Sequence, residues 1–312
     1  MILLVGAGYM GQEYAKVLKS INVGFIVVGR SEESAKLFED KIQTSVITGG
    51  LIKWLEPKPP VPRFAIIATN EENLGASARE LIRYGIKNIL IEKPGGINLA
   101  DIKKTQALAN KHRTKIFIAY NRRFYASAMR AKEIIKKDGG ALSFTFDFSE
   151  RSHLIKNLNK PKMVKKNWLI MNSSHVIDMA FFLVGHPKKL YSQVGGKNIL
   201  PWHPRGSIYS GYGIVNPDIL FSYHANWQSP GNWKIELLTK KNKLIFMPLE
   251  ELKIQRIGHP IENLKLNNEL DAKFKPGLYA MTKSFLTNSL FLKTIENQLK
   301  DIEKIYNVIG SY

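Results

Sequence analysis

Cysteine is missing altogether from the 312 residues of this chain. Disulfides and thiolate metal sites are therefore excluded, in keeping with a reducing compartment. Long apolar runs are missing as well. No stretch approaches the roughly 20 consecutive apolar residues that a membrane-spanning helix needs. No basic segment precedes the first apolar run, Ile2-Leu3-Leu4-Val5, so a signal peptide is not expected and a cytoplasmic protein is. Acidic side chains are scarce. There are 26 Asp and Glu against 46 Lys and Arg, a formal net charge of +20.

Such a surplus can serve nucleic acids or membrane surfaces. Here the basic residues are spread over the whole chain, with local groups at Lys136-Lys137, Lys156 to Lys166, Lys188-Lys189 and Lys240 to Lys243. Neither a recognition helix nor an aromatic RNA-binding signature accompanies them. The expectation is a lysine-rich surface whose field attracts small anions, with neither nucleic acid nor membrane as partner. An apolar content of 44% and a charged content of 23% are those of a globular protein. The length suits two domains better than one.

The N-terminus carries the first chemistry. After the buried-strand run comes Gly6-Ala7-Gly8-Tyr9-Met10-Gly11, and then a helical pattern from about Gln12 to Ile21. G-x-G-x-x-G between a strand and a helix fits a dinucleotide pyrophosphate. Gly6 allows the tight turn, Gly8 the close approach of backbone to phosphate, and Gly11 the packing of helix on strand. The helix N-terminus adds unpaired N–H groups and partial positive charge. Tyr9 and Met10 belong to the same turn.

A second strand, Phe25 to Val28, ends in Gly29-Arg30-Ser31, where an NAD-preferring site usually has an acid for the ribose hydroxyls. Arg30 can instead pair with a 2′-phosphate, and Ser31 can add a hydroxyl. NADP is therefore expected over NAD, although Glu32 and Glu33 keep NAD open. Both also read as first-turn acids behind a Ser31 N-cap. A weak strand follows at Ser45 to Ile47, then a proline-rich connector, Glu56 to Pro62. A fourth strand, Phe64 to Ala68, ends in Thr69-Asn70, which can meet the cofactor or cap the helix from Glu72 to Tyr84. The apolar run Ile86 to Ile91 ends in Glu92-Lys93-Pro94-Gly95-Gly96. That holds a charged side chain on a stiff turn at a strand end, where ligands of open parallel sheets sit. After a helix, Leu99 to Lys111, the strand Lys115 to Tyr120 runs into Asn121-Arg122-Arg123-Phe124. Strand and helix alternate throughout, which predicts an α/β, doubly wound parallel sheet.

Gly6-x-Gly8-x-x-Gly11, Glu92-Lys93-Pro94 and Tyr120-Asn121-Arg122-Arg123-Phe124, in this order and spacing, resemble the glucose–fructose oxidoreductase / inositol dehydrogenase / rhizopine catabolism (Gfo/Idh/MocA) family. The resemblance is good over the N-terminal half and looser beyond it. It implies a Rossmann domain, placed at residues 1–122, and an α+β domain with a large, open, mainly antiparallel sheet, placed at residues 123–312. The last helices of family members often return to the Rossmann domain, and the sheet often forms a homo-oligomer interface. The resemblance also implies NAD(P)-linked oxidation or reduction of sugars, cyclitols and nucleotide sugars. It makes Lys93 the active-site lysine, with a peptide bond to Pro94 that is often cis. Glu92, Lys93 and Asn121 join the cofactor set, and Tyr120, Arg122, Arg123, Asn172 and Asp178 the substrate side.

The second half agrees by pattern. A helix to Lys137 is followed by strand-like segments at Leu142 to Phe148, Lys189 to Val194, Asp218 to Trp227, Trp233 to Thr239 and Lys243 to Phe246. Trp202-His203-Pro204 and Gly211-Tyr212-Gly213 read as lying between strands. Lys156 to Lys166 is a basic loop or a lid. Asn172-Ser173-Ser174-His175-Val176-Ile177-Asp178 opens an apolar helix, with Ser173 or Ser174 as N-cap. His175 and Asp178 share a face and resemble the family's H-x-x-D helix, which makes His175 the second catalytic candidate beside Lys93. The acid that family dehydrogenases often carry four residues before this histidine is Met171 here, and Asn172 stands one step off.

The function expected is reversible hydride transfer between nicotinamide and a carbinol carbon of a sugar-like substrate. The positive charge favours a nucleotide sugar or uronate of cell-surface polysaccharide metabolism over a neutral cyclitol. No metal is called for. The rival is a non-catalytic NAD(P)-binding regulatory or scaffold protein on the same fold, which Met171 favours.

Overall fold

The computed structural model describes residues 1–215 and 218–311; Tyr312, the end of the expected second domain, lies outside them. The chain forms two compact units. The first is Met1–Asn121 together with Leu270–Leu299, and the second is Arg122–Glu269 with the last residues from Lys300.

The first unit is built on β1 (Ile2–Val5), β2 (Phe25–Val28), β3 (Val46–Ile47), β4 (Phe64–Ile67), β5 (Asn88–Glu92) and β6 (Lys115–Ala119). These strands pair in parallel in the order β6-β5-β4-β1-β2-β3, and a short strand, Lys293–Thr294, pairs antiparallel on the β6 edge. All four residues of β1 are buried, as expected of a parallel strand covered on both faces. The helices are α1 (Tyr9–Ser20), α2 (Glu32–Ile42), α3 (Gly50–Leu55), α4 (Leu74–Tyr84) and α5 (Leu99–His112). α1 starts three residues before the expected Gln12. Gly8 is already extended at the cap (φ −78°, ψ −169°), so the chain turns helical at Tyr9. The strand order reverses between β4 and β1, and in open α/β sheets that reversal opens a crevice at the carboxyl ends.

The second unit carries β7 (Ala141–Phe148), β8 (Pro187–Gly195), β9 (Ile208–Val215), β10 (Ile219–Asn226), β11 (Trp233–Thr239), β12 (Asn242–Phe246), β13 (Lys253–Arg256) and β14 (Ile261–Asn263). They form one sheet in the order β14-β13-β12-β11-β7-β10-β9-β8. Every pairing is antiparallel except β7 with β10. Its helices include α6 (Ala126–Lys137), α7 (Ser152–Ile155), α8 (Lys162–Lys166) and α9 (Ser174–Val184). One sheet face is a field of rings. Phe144 stacks on Phe221 at 5.1 Å and Phe146 on Tyr223 at 5.2 Å, while Phe181 of α9 stands edge-on to Phe144 at 5.9 Å. Such offset and edge-on pairs add to the burial that holds α9 on the sheet.

Two sequence expectations are corrected. Gly211-Tyr212-Gly213 lies inside β9, not between strands. Glycine normally weakens a strand, but here rings lie over both positions. A Cβ at Gly211 would come within 2.3 Å of Tyr223 Oη, and one at Gly213 within 2.5 Å of the Phe221 ring. At the helix bearing His175, Ser173 holds the N-cap position but its side chain makes no capping hydrogen bond. A π-turn, Leu169–Ser173, leads straight into α9, so the first N–H groups of α9 are not orphaned. Ser174 Oγ instead donates to Ile170 O at 2.7 Å. Of the basic segment Lys156 to Lys166, the last five residues are helical, as α8.

Candidate active site

At the carboxyl edge of the parallel sheet, β1, β2 and β4 deliver Gly6, Arg30 and Thr69 into one crevice of about 550 Å³, which Gly8, Ser31 and Asn70 also line. The three motif glycines differ in what they need. Gly6 has φ +115°, and a Cβ there would meet Ala68 O at 2.5 Å; a Cβ at Gly11 would lie 2.0 Å from Gly6 O. Both are glycine because the protein leaves no room. A Cβ at Gly8 would have nothing within 4 Å, so no neighbouring atom of the chain requires a glycine there. Open backbone at a helix N-terminus, in a crevice of this size, fits a dinucleotide pyrophosphate. Tyr9, Met10 and Gly11 form the first turn of α1 and do not line the crevice. The Tyr9 ring instead lies 5.3 Å from Lys275 Nζ.

The β2 end explains the missing acid. Gly29 is buried, and a Cβ there would sit 2.9 Å from Val46 Cγ1 and 3.1 Å from Ala7 Cβ. No aspartate fits. Arg30 is exposed at the crevice mouth, and Ser31 caps α2 by accepting from Ser34 N. Gly49 and Gly50, which sequence reasoning passed over, complete that wall. Gly50 N donates to Gly29 O at 2.9 Å, and a Cβ on Gly50 would touch the Arg30 stem at 4.0 Å. Their signal was the Gly-Gly pair before an apolar helix.

The β5 end forms the lysine turn. Gly95 N donates to Glu92 O at 3.0 Å, and the Lys93–Pro94 bond is cis. Glu92, Lys93 and Asn121 stand outside the glycine crevice. Asn121 Nδ2 donates to Pro276 O at 2.9 Å. Tyr120 is buried, with Lys293 Nζ 4.5 Å from its ring centre. Gln298 Nε2 donates both to Pro94 O at 3.1 Å and to Tyr120 Oη at 3.2 Å. It ties the lysine turn to the β6 end. Nothing in the sequence pattern marks Gln298, which lies 204 residues from Pro94.

Behind Lys93, Tyr14 Oη donates to Glu92 Oε1 at 2.7 Å. Burial pushes the Glu92 carboxyl up; the Tyr14 hydrogen bond and the charges of Lys93 and Lys275 pull the other way without cancelling it. Burial and the Glu92 charge also push the Tyr14 phenol up. The sign follows. The folded chain holds the Glu92 proton to higher pH than the unfolded one, so this contribution to stability is full below the ordinary carboxylate value of 4.5. It is lost as pH rises through the raised value. Glu92→Gln, which still accepts from Tyr14, is expected to unfold at higher urea than the wild type at about pH 8. The advantage vanishes at about pH 4. Urea midpoints at both pH values check this; a variant weaker at pH 8 would show that the ionised carboxylate is needed.

In the second unit, a cavity of about 690 Å³ is lined by Arg122, Glu150, Asn172 and Trp233, among others. Arg122 lies 4.9 Å over the Trp233 ring, and His175, buried at the start of α9, packs 6.3 Å from the same ring. Arg123 and Asp178 do not face this cavity. They make a buried two-pronged ion pair at 2.7 and 2.8 Å. Burial acts against the guanidinium charge, but Asp178 outweighs it and raises the Arg123 value. Met171 is a core residue, while Asn172 donates to both oxygens of Glu150 at 3.1 and 3.2 Å. Glu150 itself was not anticipated from sequence. Among the described residues, no three His, Asp or Glu gather as metal ligands, and no helix is long and apolar enough to cross a membrane.

A doubly wound sheet with a glycine-lined crevice at its switch point defines a dinucleotide-binding protein. Residues 1–120 match the Gfo/Idh/MocA model, described as an oxidoreductase family with an NAD-binding Rossmann fold, and over those residues the chain is similar to that family. Solved structures share the fold over the whole chain. A dehydrogenase from Clostridium difficile has a TM-score of 0.78 at 15% identity, covering 100% of this chain and 99% of that one. A putative NADPH-dependent oxidoreductase from Desulfitobacterium hafniense gives 0.77 at 17%, with 99% and 94% covered. A UDP-N-acetylglucosamine 3-dehydrogenase from Acidithiobacillus ferrooxidans gives 0.72 at 13%, with 99% and 97% covered. Among curated protein sequences, none matches.

Proposed function

We propose that this chain is an NAD(P)-dependent dehydrogenase or reductase acting on a CH–OH group of a sugar-like substrate, with a nucleotide sugar or uronate preferred. The observation that carries the reading is the Gly8 crevice on the same strand-end edge as the Lys93 turn. Gly6, Gly8, Thr69 and Asn70 would hold the dinucleotide. When bound, it supplies the hydride chemistry. Lys93 is assigned to the reacting oxygen, where an ammonium N–H stabilises developing negative charge. His175 is assigned to proton exchange, since an imidazole titrates near working pH. Arg122, with Trp233 beneath it, offers a cation and a flat ring, a pairing suited to a sugar bearing negative charge.

NADP is assigned over NAD. Gly29 cannot carry an acid, and Arg30 stands free to meet a 2′-phosphate. A thermal-shift titration tests both points at once. NADPH is expected to raise the melting temperature more than NADH at equal concentration, and Arg30→Ala to erase the difference. A larger shift with NADH keeps the enzyme and removes the Arg30 argument, whereas no shift with either removes the site. The scaffold reading retains one observation in its favour, the apolar Met171. Turnover with a panel of nucleotide sugars separates the two.

Self-association is assigned to the open face of the second sheet, where Tyr191, Tyr212, Leu220 and Leu238 are exposed. A scattered set of apolar side chains needs no partner, but a contiguous one does. Light scattering is expected to give a mass at least twice 35.4 kDa, and Tyr212→Glu to lower it. A monomeric wild type would refute the assignment.

A further inference from the structure

Three arginines of the second unit have a carboxylate partner: Arg123 pairs with Asp178, Arg130 with Glu133 and Arg256 with Glu262. Arg122 has none. It is half-buried on the wall of the 690 Å³ cavity. Among the described residues it takes part in no ion pair, and its Nε is buried without an acceptor. Two rings hold it instead. The guanidinium carbon lies 4.9 Å from the centre of the Trp233 ring and 5.9 Å from that of Tyr125. Rings steady a cation, but they do not replace oxygen acceptors for its N–H groups. A partly desolvated charge in that state is costly until a partner arrives. The rest of the wall narrows what that partner is. Trp168, on the same cavity, also has a buried N–H without an acceptor. Among the described residues, the unmet buried side-chain atoms of this wall are thus both donors.

The carboxyl groups of the wall are already engaged within the chain. Glu150 takes Asn172 Nδ2 on both oxygens and Ser173 Oγ at 2.6 Å, and Glu250 takes Tyr125 Oη at 3.2 Å. Arg151, the other cation on the cavity, donates to Asn232 Oδ1 at 3.1 Å. Arg122 is what remains. A single carboxylate brings acceptors only and matches the guanidinium fork. A diphosphate would set further negative charge against Glu150 and Glu250. We propose that the cavity of the second unit binds a sugar acid with its carboxylate on Arg122, and that Arg122 is the residue that selects it. The inference rests on the reading of this chain as a dehydrogenase or reductase of sugar-like substrates, and narrows it to uronates over nucleotide sugars.

The test needs no cofactor. The full-length protein is titrated calorimetrically with D-glucuronate and D-galacturonate, each against its uronamide, which keeps the ring and hydroxyls and lacks the charge. At least one acid is expected to bind about tenfold or more tightly than its amide, the margin of a charge-assisted over a neutral hydrogen bond. Arg122→Gln is expected to erase that preference by weakening the acid alone, and Arg151→Gln to leave it within about threefold. Equal affinities of acid and amide in the wild type, or no measurable binding of either acid, would overturn the proposal without any variant. So would UDP-glucose binding in their place, which would make this a nucleotide-sugar site. A preference that survives Arg122→Gln, or that Arg151→Gln removes, would overturn the assignment to Arg122. Should the glutamine variant not fold, Arg122→Lys carries that part: it keeps the charge without the planar fork, and the preference is expected to fall at least about threefold. An unchanged preference there would likewise overturn it. Failure of the enzyme reading shows elsewhere, as no NADPH thermal shift in the wild type.

Discussion

Lys93→Met is expected to cut turnover about a hundred- to a thousandfold, the range seen when one preorganised donor to a developing oxyanion is removed. NADPH binding stays within about threefold, since a dinucleotide phosphate contact is worth more than that. Methionine keeps most of the aliphatic stem and removes the charge. The backbone that presents it is held by other groups: Gly95 N donates to Glu92 O, and Gln298 Nε2 to Pro94 O. Neither of these two hydrogen bonds involves the ammonium. The measurements are steady-state rate, with whichever nucleotide sugar the wild type turns over, and NADPH thermal shift on the same preparation. Joint loss of rate and binding would make Lys93 a structural lysine. Retention of both would move the chemistry off the β5 turn.

The second large effect separates two glycines of one motif. Gly11→Ala places a methyl 2.0 Å from Gly6 O. Neither the strand β1 nor the buried face of α1 can move away cheaply, and overpacking of this kind costs about 3 kcal/mol. Urea unfolding reads that loss, and NADPH binding falls with it. Gly8→Ala meets nothing within 4 Å. Its stability is expected to stay within about 1 kcal/mol of the wild type, as befits a glycine at an N-cap, while NADPH affinity drops at least tenfold. A Gly8→Ala protein that binds NADPH normally would mean that the pyrophosphate does not cross this turn. A Gly11→Ala protein as stable as the wild type would mean that the α1–β1 approach is looser than 2.0 Å implies.

The first unit was legible because its signals are local. The strands Phe25–Val28 and Lys115–Ala119 are short β-branched or aromatic runs, and each is followed two residues on by a polar side chain, Arg30 or Asn121. Gly29 could be read as a missing acid, but the reason could not, since Val46 Cγ1 and Ala7 Cβ reach it from other strands. In the second unit the strand-like segment Asp218 to Trp227 was legible from its alternation: Tyr223, Ala225 and Trp227 are buried and His224 is exposed. β9 was missed because two glycines mask a strand whose missing volume is filled by rings from β10. Asn172 appeared one step off an expected place, and it lies within the π-turn Leu169–Ser173. Glu150 and Gln298 were invisible. Each acts on residues 22 or more positions away, and no spacing rule reaches that far.

The Lys293–Thr294 strand has a consequence for how this protein can be divided. The family match ends at residue 120, yet the sheet it describes is closed on its β6 side by a strand supplied about 170 residues later. Gln298, from the same late segment, joins Pro94 to Tyr120. A fragment cut at the end of the match would bare the N–H and C=O groups of β6, and an uncovered edge of buried-type strand invites pairing with its own copies. The nucleotide-binding half is thus not something the ribosome finishes first. Its last sheet position is filled only after Lys293 and Thr294 have been made, so the β6 edge stays open to self-association until then.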